Sequence, residues 1–220
     1  MGCQTALFEN RKDAARQLRE SLPLEKMKNE QWHLVAVSSG GLEVASHLSE
    51  RGKLHVDFLF SESITAPQND ECEIARVSET EEIVINEYLV DNFDIQYDYI
   101  YGEASRRHEE QILASMFQHR KGRHFESMEN KIVLLVDEGS ETGFKLLVAI
   151  KSILAMNPRA VYVAVPVVPV EVVESIAPLV DKIFFVHEVK DYVETPCYYT
   201  TLETIETERI DKILGEKNEF

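Results

Sequence analysis

Five short apolar runs punctuate the chain: HLVAV from His33, HVDFLF from His55, KIVLLV from Lys131, AVYVAV from Ala160 and KIFFV from Lys182. None alternates strictly between apolar and polar positions, so each reads as a strand covered on both faces. Between the runs, apolar positions recur at helical spacing and predict helices over 10–21, 42–50, 104–121, 143–156 and 170–179. Strands alternating with helices predict an α/β fold, a mainly parallel sheet flanked by helices. Within 104–121, Ile112, Leu113, Met116 and Phe117 share one helical face, which predicts an amphipathic helix packed on the sheet.

The pattern changes between Glu62 and Asp98, where eleven acidic residues stand against one basic residue, Arg76. APQND from Ala66 reads as a turn and EEIVINEYLV from Glu81 as a strand or hairpin arm. The expected structure is a loop excursion with a solvated acidic face, forming a small hood. A chain of 220 residues, 44% of them hydrophobic, can bury one sizeable core. The expected organisation is therefore a single domain over 1–220 with an acidic insert at about 62–100.

Charge narrows the partners. A formal net charge of −16 opposes nucleic-acid binding, which needs clustered Lys and Arg. No apolar run reaches the roughly 20 residues of a membrane span, and the first twenty residues lack a signal-peptide core, so a cytoplasmic protein is expected. Cys3, Cys72 and Cys197 are widely spaced and odd in number, which suggests reduced thiols. None of the seven His has metal-ligand spacing, and the basic stretch between His119 and His124 reads as a surface loop.

Candidate chemistry gathers at Lys131 to Ala149, KIVLLVDEGSETGFKLLVA. In open parallel sheets ligands sit at the carboxyl ends of strands, and here the acidic pair Asp137 and Glu138 ends one. Two carboxylates can accept hydrogen bonds from a sugar diol or hold a hydrated Mg²⁺. Backbone amides of GSETG, the hydroxyls of Ser140 and Thr142 and the start of the next helix suit an anion. A second small-residue loop, Ser38-Ser39-Gly40-Gly41, follows the first strand. Together they suit a sugar carrying phosphates at both ends. Neither GxxxxGK[ST] nor GxGxxG occurs, which removes two common phosphate-binding motifs.

VLLVDEGSETG, Val133 to Gly143, resembles the signature of the type I phosphoribosyltransferases: a hydrophobic strand, two acids, three variable residues and Thr-Gly. The chain is most similar to a bacterial group of that family with a long middle insert, through FENRKDAARQL near the start, APQNDE from Ala66, VAVPVVPVEVVESI from Val163 and DKIFFVHEV from Asp181. The resemblance implies transfer of 5-phosphoribosyl from phosphoribosyl pyrophosphate to a nitrogen acceptor, a purine-like base or another, with Mg²⁺ on the pyrophosphate and no metal held directly by the chain. It implies that Asp137 and Glu138 bind the ribose and that Gly139, Ser140, Thr142, Gly143 and Phe144 bind the 5′-phosphate. Ser38, Ser39, Gly40 and Gly41 would face the pyrophosphate. Glu141 matches the acid that the 6-oxopurine members place before Thr-Gly, which makes it the catalytic acid-base candidate.

The chain departs from that group where charge matters. The group's loop Arg is Ser39 here, and its Arg-Lys pair before the insert is Glu62-Ser63. Each lost charge-assisted contact costs about 1.5 to 3 kcal/mol. Lys145 is a candidate replacement cation. Tyr198 and Tyr199 fall where the group has a Trp-Tyr pair, so they either stack on a base or pack internally. A purely structural partner with an acidic face ranks third; ahead of it stand two functions, a phosphoribosyltransferase, or a catalytically degenerate relative that binds a ribose phosphate or nucleotide as a regulator. Partners on either reading are small molecules, with homo-oligomerisation left open.

Overall fold

The computed structural model describes residues 6–49 and 53–215; Gly2, Cys3 and Glu50 lie outside them. In chain order the first elements are α1 (Arg11–Leu18), α2 (Leu24–Asn29), β1 (His33–Ala36), α3 (Ser39–Leu48) and β2 (His55–Phe58). The insert contributes β3 (Ser61–Ala66), β4 (Asn69–Ser78), β5 (Ile83–Ile85), α4 (Glu87–Asn92), α5 (Tyr97–Arg107) and, after a π-helical turn at His108–Ile112, α6 (Leu113–Arg120). The chain then runs through β6 (Ile132–Val136), α7 (Phe144–Leu154), β7 (Ala160–Pro169), α8 (Val170–Ile176), β8 (Lys182–Val189) and α9 (Thr207–Gly215).

The five strands read from the apolar runs form one parallel sheet in the order β2-β1-β6-β7-β8. Every residue of β6 is buried because the strand is central and both faces are covered. Leu34, Ala36, Leu134 and Val136 face a core completed by Ala15, Leu18, Leu42 and Leu48 of α1 and α3. Val35, Val133 and Leu135 face the opposite core with Leu146, Ala149, Ile150 and Ile153 of α7. That last set is spaced i, i+3, i+4, i+7, the stripe by which a helix buries one side.

The acidic insert is more ordered than a loop excursion. Its first part is an antiparallel sheet, β3-β4-β5, and only Ile83–Ile85 of EEIVINEYLV is strand before α4 begins. The inner half of β4 from Ile74 to Ser78 is buried whereas Asn69 to Glu71 is exposed, so acids crowd the outer end. Ser78 and Thr80 hydroxyls meet Ser152 Oγ of α7 at 2.8 and 2.9 Å, and Ser152 Oγ donates to Val148 O, docking the hood onto α7.

Other expectations need correction. The helix predicted over 104–121 begins at Tyr97 and is divided by the π turn, whose extra residue per turn rotates the apolar stripe. Ile112 and Met116 are buried, but Leu113 is 42% and Phe117 73% exposed. His119 lies on α6 rather than in a loop and meets Asp211 of α9 at 2.7 Å. α2 and α9 were not expected from the pattern. Cys72 is free and half-buried, but Cys197 is disulfide-bonded, against the expectation of reduced thiols. No described helix is long and apolar enough to cross a membrane.

One buried ion pair ties insert to sheet. Glu79 accepts from Arg120 Nη2 and from Phe60 N at 2.9 Å, while its own N–H donates to Phe60 O at 2.9 Å. The Arg120 guanidinium lies 4.9 Å from the Phe60 ring centroid. Burial pushes the Glu79 carboxyl up, and Arg120 opposes that rise. Removing one partner strands the other charge, so Glu79→Ala is expected to cost about 3 to 5 kcal/mol. Urea unfolding checks this, and a loss below about 1 kcal/mol would show that water reaches Arg120.

Candidate functional site

β1 and β6 are adjacent, yet β1 feeds α3 on one face and β6 feeds α7 on the other. The strand order therefore reverses between them, and the crevice at their carboxyl ends is where this architecture binds ligands. Ser38 and Asp137 both lie there. Ser38 caps α3, its Oγ accepting from Gly41 N at 2.9 Å and donating to Asp137 Oδ1 at 2.5 Å. Glu138 N also donates to Asp137 Oδ1, at 2.9 Å. Asp137 is buried, and its second oxygen, Oδ2, has no hydrogen-bond partner.

Ser38-Ser39-Gly40-Gly41 differs from the loop expected of it. Ser39 to Gly41 are the first turn of α3, and the Gly41 amide is already taken by Ser38. Gly41 is required by close approach, since a Cβ there would lie 2.5 Å from the backbone oxygen of Val136, whereas a Cβ on Gly40 would meet only the carboxylate end of Glu138, which a change of rotamer can move. The Glu138 carboxylate rests against that turn and is held by Arg11 Nε, a residue of α1. Arg11 also donates to Glu203 O at 2.7 Å and lies 3.6 Å from Glu43.

The segment Gly139 to Phe144 keeps an anion-ready end. Gly143 has φ of +77° and precedes α7 without a side-chain cap, so first-turn amides point outward from the helix start. The Thr142 hydroxyl makes one long contact to Phe144 N at 3.4 Å. Gly139 and Ser140 are buried, because Tyr192 and Thr195 lie over Gly139; its Cβ would be 2.6 Å from Thr195 Cγ2. Glu141 turns toward the same cover, accepting from Thr195 N at 2.9 Å. On its open side the segment borders a cleft of about 480 Å³, where Glu141, Thr142 and Phe144 meet Glu87 of α4 and Glu171 of α8. Tyr198 and Tyr199 are buried beside Phe8 and Val167, and Tyr199 Oη donates to Glu138 O at 2.6 Å, so both serve packing.

Cations absent from the sequence motif are present in space. Arg76 of β4 stands cross-strand from Ser63, and its guanidinium is fixed by Glu73 at 2.8 Å and Ser61 Oγ at 3.2 Å. Arg76, Arg107 and Lys145 all draw down the carboxyl of Glu62, which burial otherwise pushes up. Lys145 does the same for Asp137 and Glu138, again against dominant desolvation. Arg76 could have been singled out as the one base in the acidic insert. Arg11, Tyr192 and Thr195 carried no local signal, since only the folded chain brings them to residues 137–141.

Asp137 generates a stability prediction. Burial raises its pKa above the unfolded value of 3.8, so the native state binds the proton more tightly than the unfolded chain. Its contribution to stability is complete below 3.8 and is lost as pH rises through the native pKa. Asp137→Asn keeps an acceptor for Ser38 and removes the titration. Urea unfolding should show the variant gaining on wild type from mild acid to neutrality; a widening loss over that range would mean that Asp137 is stabilised as the anion.

No family model matches the chain. Its structure is similar to the crystal structure of TT1426 from Thermus thermophilus, at 26% identity over 94% of this chain and 97% of that one, with a TM-score of 0.75. A hypoxanthine phosphoribosyltransferase from Staphylococcus aureus aligns at 15% identity over 86% of this chain and 79% of that one, TM-score 0.46. A purine phosphoribosyltransferase from Pyrococcus horikoshii aligns at 15% over 85% and 90%, TM-score 0.44. The five-stranded parallel sheet flanked by helices, with Asp-Glu-x-x-x-Thr-Gly at its crevice, is thus an α/β fold similar to that of TT1426.

Proposed function

We propose that the chain binds phosphoribosyl pyrophosphate at the β1/β6 crevice and transfers its phosphoribosyl group to a nitrogen acceptor. The observation that carries this reading is Asp137: a buried carboxylate with an unpartnered oxygen, set between two helix starts. Burying a polar atom without a partner is costly unless something else supplies the hydrogen bond. A ribose hydroxyl is a donor of the right kind. The uncapped start of α7, with Thr142, Gly143 and Phe144, suits the 5′-phosphate. Arg76 and Lys145 border the site, where Ser39, Glu62 and Ser63 offer no positive charge.

Transfer breaks the bond from ribose C1 to the pyrophosphate oxygen, which keeps the electron pair, and forms a bond from C1 to the acceptor nitrogen, which gives up a proton. Positive charge on the ribose at the transition state is favoured by Asp137 and Glu138. Glu138 is neutralised by Arg11 in this conformation, so that pair must part or be shared for Glu138 to reach the sugar. Among the described residues no cluster of three or more His, Cys, Asp or Glu makes a metal cage. The donors fit Mg²⁺ that arrives chelated by pyrophosphate, where it would supply countercharge to the leaving group.

A second reading, ligand binding without turnover, is favoured by the Glu141–Thr195 hydrogen bond, which occupies the acid-base candidate. Calorimetric titration with phosphoribosyl pyrophosphate, with and without Mg²⁺, is expected to show Mg²⁺-dependent binding that falls at least about tenfold in Asp137→Asn. Pyrophosphate release on adding bases separates the two readings. Absence of binding by a folded wild type would sink both.

A further inference from the structure

β8 is the outer strand of the parallel sheet, and the hydrogen bonds further in fix which of its peptide groups face outward. Asp137 N donates to Ala164 O at 3.2 Å, so Ala164 presents its peptide groups to β6, and its neighbours Val163 and Val165 present theirs to β8. The contact from Asp181 N to Val161 O, at 2.8 Å, has the same sense. Val163 stands in register with Ile183 and Val165 with Phe185. In a parallel pair an inward residue bonds to the two neighbours of its partner, so Lys182, Phe184 and Val186 face β7. The N–H and C=O groups of Ile183, Phe185 and His187 therefore point away from the sheet. Among the described residues none of the three bonds another element through its backbone.

An edge of this kind is a template for another strand, and proteins ordinarily guard it with charge. Here the exposed charges are Lys182 at one end and Glu188 at the other, neither in an ion pair among the described residues. We propose that β8 pairs antiparallel with β8 of a second copy of this chain, about a two-fold axis at Phe185. That register sets Ile183 against the partner's His187 and Phe185 against the partner's Phe185, matching outward peptide groups with outward peptide groups. It also sets Lys182 opposite the partner's Glu188, twice by symmetry, in the non-hydrogen-bonded positions where side chains approach most closely. A slip of one residue would oppose outward with inward peptide groups. A slip of two in one direction would set Lys182 against the partner's Lys190, and in the other against the partner's Val186, so charge selects the register. The pairing is isologous, the interface type of closed dimers. It does not depend on the proposed function.

Analytical ultracentrifugation of the full chain tests it. Wild type is expected to dimerise. Lys182→Glu and Glu188→Lys, each placing like charges opposite one another twice, should weaken the dimer by roughly tenfold or more, and the double variant Lys182→Glu/Glu188→Lys should restore it. Circular dichroism identical to wild type confirms that each variant folds. A wild type that stays monomeric, a dimer indifferent to the single substitutions, or a double variant that fails to recover would each overturn the proposal.

Discussion

The hydrogen bond from Ser38 to Asp137 closes the crevice on which the rest of the molecule converges. It joins residues 99 apart in sequence and links the start of α3 to the end of β6. For the two to meet, α3 must begin almost against the backbone of β6, which is why Gly41 cannot carry a side chain. The same approach brings Glu138 over Gly40 and within reach of Arg11. Cap, strand end and ion pair are consequences of one close contact between neighbouring parallel strands.

Around that contact, opposing charges are managed pair by pair. Asp137, Glu138, Glu62 and Glu79 are all carboxyls whose pKa is raised by burial and restrained by nearby cations. A net charge of −16 makes each interior cation count for more than its surface counterpart, since exposed pairs contribute little. Arg120 anchors the hood, Arg11 the first helix, and Arg76 with Lys145 the rim of the crevice. The acidic composition therefore describes the solvent surface and says little about the potential inside the crevice.

The sheet was legible in the sequence because strands buried on both faces leave unbroken apolar runs, as Ile132–Val136 does. The hood was not, because SESITA and NDECEIARVS mix exposed acids with buried residues and so resemble a solvated loop. The short α2 and α9 escaped for want of length. At the site, the Asp137 to Gly143 segment could be found from its local spacing. Most of its partners could not: Arg11, Tyr192 and Thr195 lie far away along the chain, and tertiary proximity leaves no periodic trace. Even Ser38 to Gly41, singled out from the sequence, reads differently once Ser38 is seen to consume the Gly41 amide.

The contacts that fill the crevice set what a ligand must do. Thr195 and Tyr192 cover Gly139, Glu141 is bound to the Thr195 amide, and Arg11 holds Glu138. These are hydrogen bonds and ion pairs in partly buried surroundings, each of modest net worth, about 0.5 to 3 kcal/mol. Under the proposed function, a doubly phosphorylated sugar would offer charge-assisted contacts in exchange, at the start of α7 and near Lys145. On the proposed reading, the segment that follows β8 and covers Gly139 is the part that would have to yield to a ligand.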